Sequence, residues 1–115
     1  MVTLYGIPNC DTVKKARTWL QAQGVAHTFH DFKKQGVPAD GLAAWQTQVG
    51  WEVLLNKKGT TWRQTPPDVQ ATVVDAPTAL AYLLAQPSAI KRPVVVWPSG
   101  VTVGFDADAW AQRLP

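Results

Sequence analysis

Cysteine is almost absent: Cys10 is the only one among 115 residues. An internal disulfide is therefore excluded, and the fold must stand on packing, as expected in a reducing compartment. Any redox chemistry has to use sulfur from a second molecule. Long apolar runs are missing too. No stretch nears the roughly 20 residues that a helix needs to cross a bilayer, and the first residues lack the basic, apolar and small-residue succession of a secretory signal. The expectation is a cytoplasmic protein with no membrane partner.

Charge of one sign is nowhere concentrated. The net charge is +3, and the basic residues fall in small groups: Lys14, Lys15 and Arg17; Lys33 and Lys34; Lys57, Lys58 and Arg63; Lys91 and Arg92. None is the long basic block of a nucleic-acid arm, so no nucleic-acid partner is expected. An anionic small ligand or an acidic thiol such as glutathione suits this scale. Taken singly, each group also reads as a solvated face.

What is present is 46% apolar content, enough for one ordinary core in a single domain spanning residues 1–115. "VTLYG" at 2–6 alternates and is β-rich, and it reads as a strand ending at Gly6 and Pro8. A helix is expected next, with Asn9 as a favoured N-cap and apolar positions at Val13, Ala16, Trp19 and Leu20 until Gly24. "VAHTFHDF" at 25–32 completes a βαβ unit with parallel strands. The middle reads as short helices in "PADGLAAWQTQVG", "WEVLLN" and "PPDVQATVV", with "NKKGT" as a turn. Asp75 as N-cap and Pro77 in the first turn signal a further helix through Leu80, Leu83 and Leu84. "PVVVW" at 93–97 suits a buried strand, "PSG" a tight turn, "VTVGF" its hairpin partner and "ADAWAQRL" a closing helix. The order βαβ, helical segment, hairpin and helix is that of a thioredoxin-like α/β fold with a helical insertion at about residues 38–75.

Cys10 falls in the turn between the first strand and its helix. Unpaired backbone N–H groups and the positive end of the helix dipole both favour the thiolate there, the form that attacks and leaves in sulfur exchange. Lys14, four residues on, is placed to add to this, with Arg17 a further turn away, while Asp11 works against it. The alternative is a space-filling buried cysteine, although the polar neighbours Asn9 and Asp11 favour exposure.

The segments "LYGIPNCDTVKKARTWL", "DFKKQGVP", "LLNKKGTTWR", "IKRPVV" and the late "GF" resemble, in order and spacing, the arsenate reductase (ArsC)-like family, which includes the Spx regulators. The chain is most similar to its single-cysteine, YffB-like subgroup. The resemblance implies a thioredoxin-like fold, a catalytic cysteine at Cys10, and a proline at Pro93, typically cis, preceded by Arg92 as a cation for the thiolate. Two departures matter. The position of a second, resolving cysteine is Val13, and the arginines that hold the oxyanion in the arsenate reductases fall near Asn56 and near Gly104 and Phe105.

These readings converge on a monothiol oxidoreductase with Cys10 and Arg92 as catalytic residues and Pro93, Lys14, Asn9, Arg63 and Lys57 as substrate contacts. No bound cofactor or metal is expected. Glutathione is the expected reducing co-substrate, with glutaredoxin as another thiol partner, and the expected state is a monomer. "NKKGTTWR" offers donors for a glutathione carboxylate or is simply a solvated turn, and Trp62 is placed to wall a site. His27 and His30, three apart on a strand, face opposite sides and read as structural. The rival functions are oxyanion reduction and a non-enzymatic regulator docking on RNA polymerase, as in Spx.

Overall fold

A computed structural model describes residues 1–114. In chain order the elements are β1 (Val2–Gly6), α1 (Asp11–Ala22), β2 (His27–Asp31), α2 (Phe32–Gln35), α3 (Ala39–Val49), α4 (Trp51–Leu54) and α5 (Thr60–Arg63). They continue with α6 (Pro67–Gln70), α7 (Ala76–Ala85), a 3-10 turn at Pro87–Ala89, β3 (Val94–Trp97), β4 (Gly100–Val103) and α8 (Ala107–Ala111). Two compact units emerge, one joining Met1–Gly36 to the segment from Arg92 onward, the other running Val37–Lys91.

The first unit is a four-stranded mixed sheet in the order β2-β1-β3-β4. β1 runs parallel to β2, with Leu4 opposite Phe29, and antiparallel to β3, with Leu4 opposite Val95; β3 and β4 form the hairpin. This is the thioredoxin-like α/β arrangement. Alternation along β1 sends Val2, Leu4 and Gly6 to one face, where they meet Val13, Ala16 and Leu20 of α1 and Trp110 of α8. Leu4, Leu20 and Val95 are wholly buried, each worth about 1.5–3 kcal/mol of apolar transfer. Trp110 sits edge-on to Trp97 at 5.1 Å and to Phe105 at 4.8 Å, which closes the end of this core.

β2 is shorter than the sequence suggests, for local reasons. At the start of β2, Val25 donates its N–H to the Leu20 carbonyl at 2.9 Å as part of the closing turn of α1. At its end, Asp31 leaves the strand to cap α2, accepting from the Lys33 N–H at 2.8 Å. His30 stacks on Tyr5 at 4.8 Å, and its Nε2 is 2.8 Å from the Gly36 carbonyl. His27 lies opposite Val2 in the register.

The second unit is helical and joined by short turns. α3 buries Leu42 and Trp45, and α7 buries Ala79, Tyr82 and Leu83. Asp75 and Thr78 form a reciprocal capping box at the start of α7. Trp62, expected to wall a site, stands edge-on to Tyr82 at 5.3 Å, and the Tyr82 hydroxyl lies 2.6 Å from the Thr65 hydroxyl. Among the described residues, no helix is long and apolar enough to cross a membrane.

Candidate active site

The corner after β1 is tight because its last residue is glycine. A Cβ on Gly6 would meet Val13 Cγ2 at 2.9 Å, closer than real Cβ contacts come, so Gly6 is what lets the first turn of α1 lie against the strand end. Val13, where a resolving cysteine would stand, is wholly buried in this contact.

The N-cap of α1 is Cys10, not Asn9. Cys10 is extended, with φ −143° and ψ 123°, and its carbonyl accepts from the Lys14 N–H at 2.9 Å, which makes Asp11 the first helical residue. The thiol thus occupies the place of a capping hydroxyl or carboxylate. No capping hydrogen bond of full geometry is closed by the side chain. Even so, the orphan N–H groups of the first turn act on the sulfur. Partial burial pushes the Cys10 thiol up, but the N–H of Val13, the Arg92 guanidinium and the N–H of Thr12 outweigh it and hold the thiol below its ordinary value. Cys10 itself is half-buried, so an attacking sulfur can still be reached.

Arg92 acts both by a hydrogen bond to the sulfur and by its charge. It enters from the segment before β3, where the Arg92–Pro93 bond is cis and Pro93 is wholly buried. The Pro93 carbonyl accepts from the Gly104 N–H at 2.8 Å, which ties the start of β3 to the end of β4. Gly104 has φ +86°, a conformation that L side chains rarely adopt.

The remaining residues singled out from sequence take different places. Asn9 is exposed beside the thiol. Lys14 contributes its backbone to the first turn, while its side chain is exposed. Arg17 lies over the Phe29 ring at 4.1 Å, so its charge is engaged on β2. Lys57 and Arg63 belong to the second unit, where both are exposed, with Lys57 Nζ 5.9 Å from the Trp51 ring. Sequence reasoning missed the Thr12 and Val13 N–H groups as individual donors and missed what Gly6 permits. The signal available was a glycine ending an alternating strand four residues before the cysteine.

The geometry has clear relatives. The YFFB protein, a solved structure, is 44% identical and superposes with a TM-score of 0.94 over 100% of both chains. An arsenate reductase (ArsC) related protein from Brucella melitensis is 49% identical, with a TM-score of 0.76 over 96% of this chain and 92% of that one. The global transcriptional regulator Spx 1 of Lactococcus lactis is 25% identical over 100% of this chain and 90% of its own. The family model for ArsC matches residues 5–113. The chain belongs to the ArsC family.

Proposed function

We propose that the protein is a cytoplasmic monothiol reductase or transferase that works with glutathione, Cys10 being its nucleophile. One observation carries the reading: a half-exposed thiol held below its ordinary pKa by the Val13 and Thr12 N–H groups and by Arg92, with no second cysteine in the chain.

The chemistry follows from that thiol. The Cys10 thiolate attacks the glutathionyl sulfur of a mixed disulfide, R–S–S–G, forming Cys10–S–S–G; the substrate departs as R–S⁻ and takes a proton from water. A glutathione thiolate then attacks the glutathionyl sulfur of the adduct. Cys10 leaves as thiolate, and oxidised glutathione is released. The substrate sulfur passes from the disulfide to the thiol level and the sulfur of the incoming glutathione passes from the thiol to the disulfide level, so the exchange balances with no other reductant. Arg92 serves both steps, because Cys10 carries negative charge before attack and again on leaving. With Val13 buried where a resolving thiol would be, the external thiol is obligatory.

The test is mass spectrometry after exposure to oxidised glutathione. One glutathionyl group on Cys10 is expected, reversed by reduced glutathione and absent in Cys10→Ser, which should also lose all exchange activity. An inert thiol, or activity retained in the serine variant, would overturn the reading.

Oxyanion reduction is the second reading, supported by membership in the ArsC family and by likeness to the Brucella protein. It ranks lower because the places where the family resemblance puts clamping arginines, near Asn56 and near Gly104 and Phe105, hold none. Arsenate turnover with glutathione would promote it. The likeness to Spx supports docking on RNA polymerase as a third reading; capture of polymerase equally by wild type and Cys10→Ser would favour it.

A further inference from the structure

The second unit holds a basic pocket. Its lining is Glu52, Val53, Leu55, Asn56, Lys57, Lys58 and Lys91, around a cavity of about 320 Å³. Two separate segments supply the cations, and backbone pairing fixes one against the other. Asn56 donates to the Ala89 carbonyl at 2.8 Å, Lys91 donates to the Leu54 carbonyl at 2.8 Å, and Leu55 and Ile90 form an antiparallel bridge between them. The turn that follows is equally constrained: Gly59 donates to the Asn56 carbonyl at 3.2 Å, and the Asn56 amide packs against Gly59 so closely that a Cβ there would meet it at 2.7 Å.

The charges in this pocket are not neutralised from within. Three lysines and one carboxylate residue, Glu52, line it, and among the described residues no carboxylate pairs with Lys57, Lys58 or Lys91. A bound anion would offset this local excess of positive charge. The chemistry of the donors narrows the anion. Lysines act as point charges without the planar fork by which arginine grips one carboxylate, and they suit spread, multivalent charge such as phosphate oxygens. Val53, 46% exposed, gives the rim an apolar edge for the body of a small molecule.

We propose that this pocket binds a small polyanion, a molecule carrying two or more phosphate or carboxylate groups, on Lys57, Lys58 and Lys91. The site lies wholly within the second unit. The experiment is titration of the full chain with inorganic pyrophosphate and, separately, with citrate, followed by calorimetry and by amide NMR shifts. Saturable binding of either is expected, with shifts centred on residues 54–58 and 89–91 and affinity falling as salt rises. Pyrophosphate binding tighter than citrate assigns phosphate as the source; the reverse assigns carboxylate. The double variant Lys58→Glu, Lys91→Glu should weaken binding about tenfold or more, whereas Cys10→Ser should leave it unchanged. Overturning results are no saturable binding of either probe, or an equal loss in the control variant Lys33→Glu, which would reduce the effect to overall charge.

Discussion

The unit that carries Cys10 is held by strand pairing between segments far apart in sequence, whereas the unit running Val37–Lys91 packs short helices, α3 and α4 against α7, and fixes their ends with caps and turns between near neighbours. In the first, β1 pairs with both β2 and β3, and its core gathers residues from Val2 to Trp110. In the second, Asp75 caps through Thr78, the Thr65 hydroxyl donates to the Thr61 carbonyl at 2.8 Å, and Gln70 reaches the Trp62 carbonyl at 2.8 Å. The difference bears on function. Tuning a thiol requires donors of fixed position, and the non-local unit fixes them by bringing Arg92, from the segment before β3, to the first turn of α1. The second unit assembles lysines around a pocket and contains no cysteine.

The largest effect expected beyond loss of the thiol itself comes from breaking that long-range contact. Arg92→Ala removes both a hydrogen bond and a charge that lower the thiol pKa, leaving the burial that raises it. The sign is fixed: the midpoint of the pH profile for thiol alkylation moves upward, and less thiolate is present at neutral pH. Alkylation near pH 7 should slow on the order of tenfold, with the rate recovering at high pH. An unmoved midpoint would show that the N–H groups of Val13 and Thr12 suffice. Arg92→Lys restores charge without the fork, so its midpoint should fall between the two.

A second break targets packing. Gly6→Ala places a methyl 2.9 Å from Val13 Cγ2 at a site where both residues are buried. Overpacking of this kind costs about 1–3 kcal/mol, read as a lower midpoint in chemical denaturation. The variant should also lose some thiol reactivity, because the first turn of α1 must shift to relieve the contact. Stability lost with reactivity unchanged would show that the strand end yields instead.

The same contrast explains what could be read from the sequence. Alternation in "VTLYG" and the apolar run "VVVW" placed two strands of the first unit within a residue of where they lie, because burial on a sheet imposes its period on the chain. The strand-to-helix corner was legible for the same reason, with one correction: Cys10 itself took the cap position expected of Asn9. The middle resisted. α2, α5 and the 3-10 turn are three or four residues long, too short to show a helical period, and the "NKKGT" turn passes directly into α5 at Thr60. "PPDVQATVV" likewise yields only Pro67–Gln70 as helix. Where capping chemistry was explicit, as at Asp75 and Pro77, the second unit was readable too. The site followed the same rule: Cys10 and its helix end were local signals, while the approach of Arg92 is a tertiary fact for which only family resemblance spoke beforehand.

The smallest effect expected tests the local half of the comparison, at the cap of α7. The Asp75 carboxyl is held below its ordinary value chiefly by the Thr78 hydroxyl, then by the Thr78 N–H, against a slight opposing effect of burial. A depressed folded-state value means that the ionised cap contributes its full stability above the unfolded carboxylate value, near 3.9, and that this is lost as pH falls through the lower folded value. Asp75→Ala should therefore reduce the melting temperature by a few degrees at pH 7, and the gap to wild type should close as the solution becomes acidic. Asp75→Asn keeps an acceptor for the Thr78 N–H without the charge, so its deficit should be smaller and nearly independent of pH. If the alanine deficit persists undiminished in acid, the cap acts through geometry alone and the carboxylate charge adds nothing.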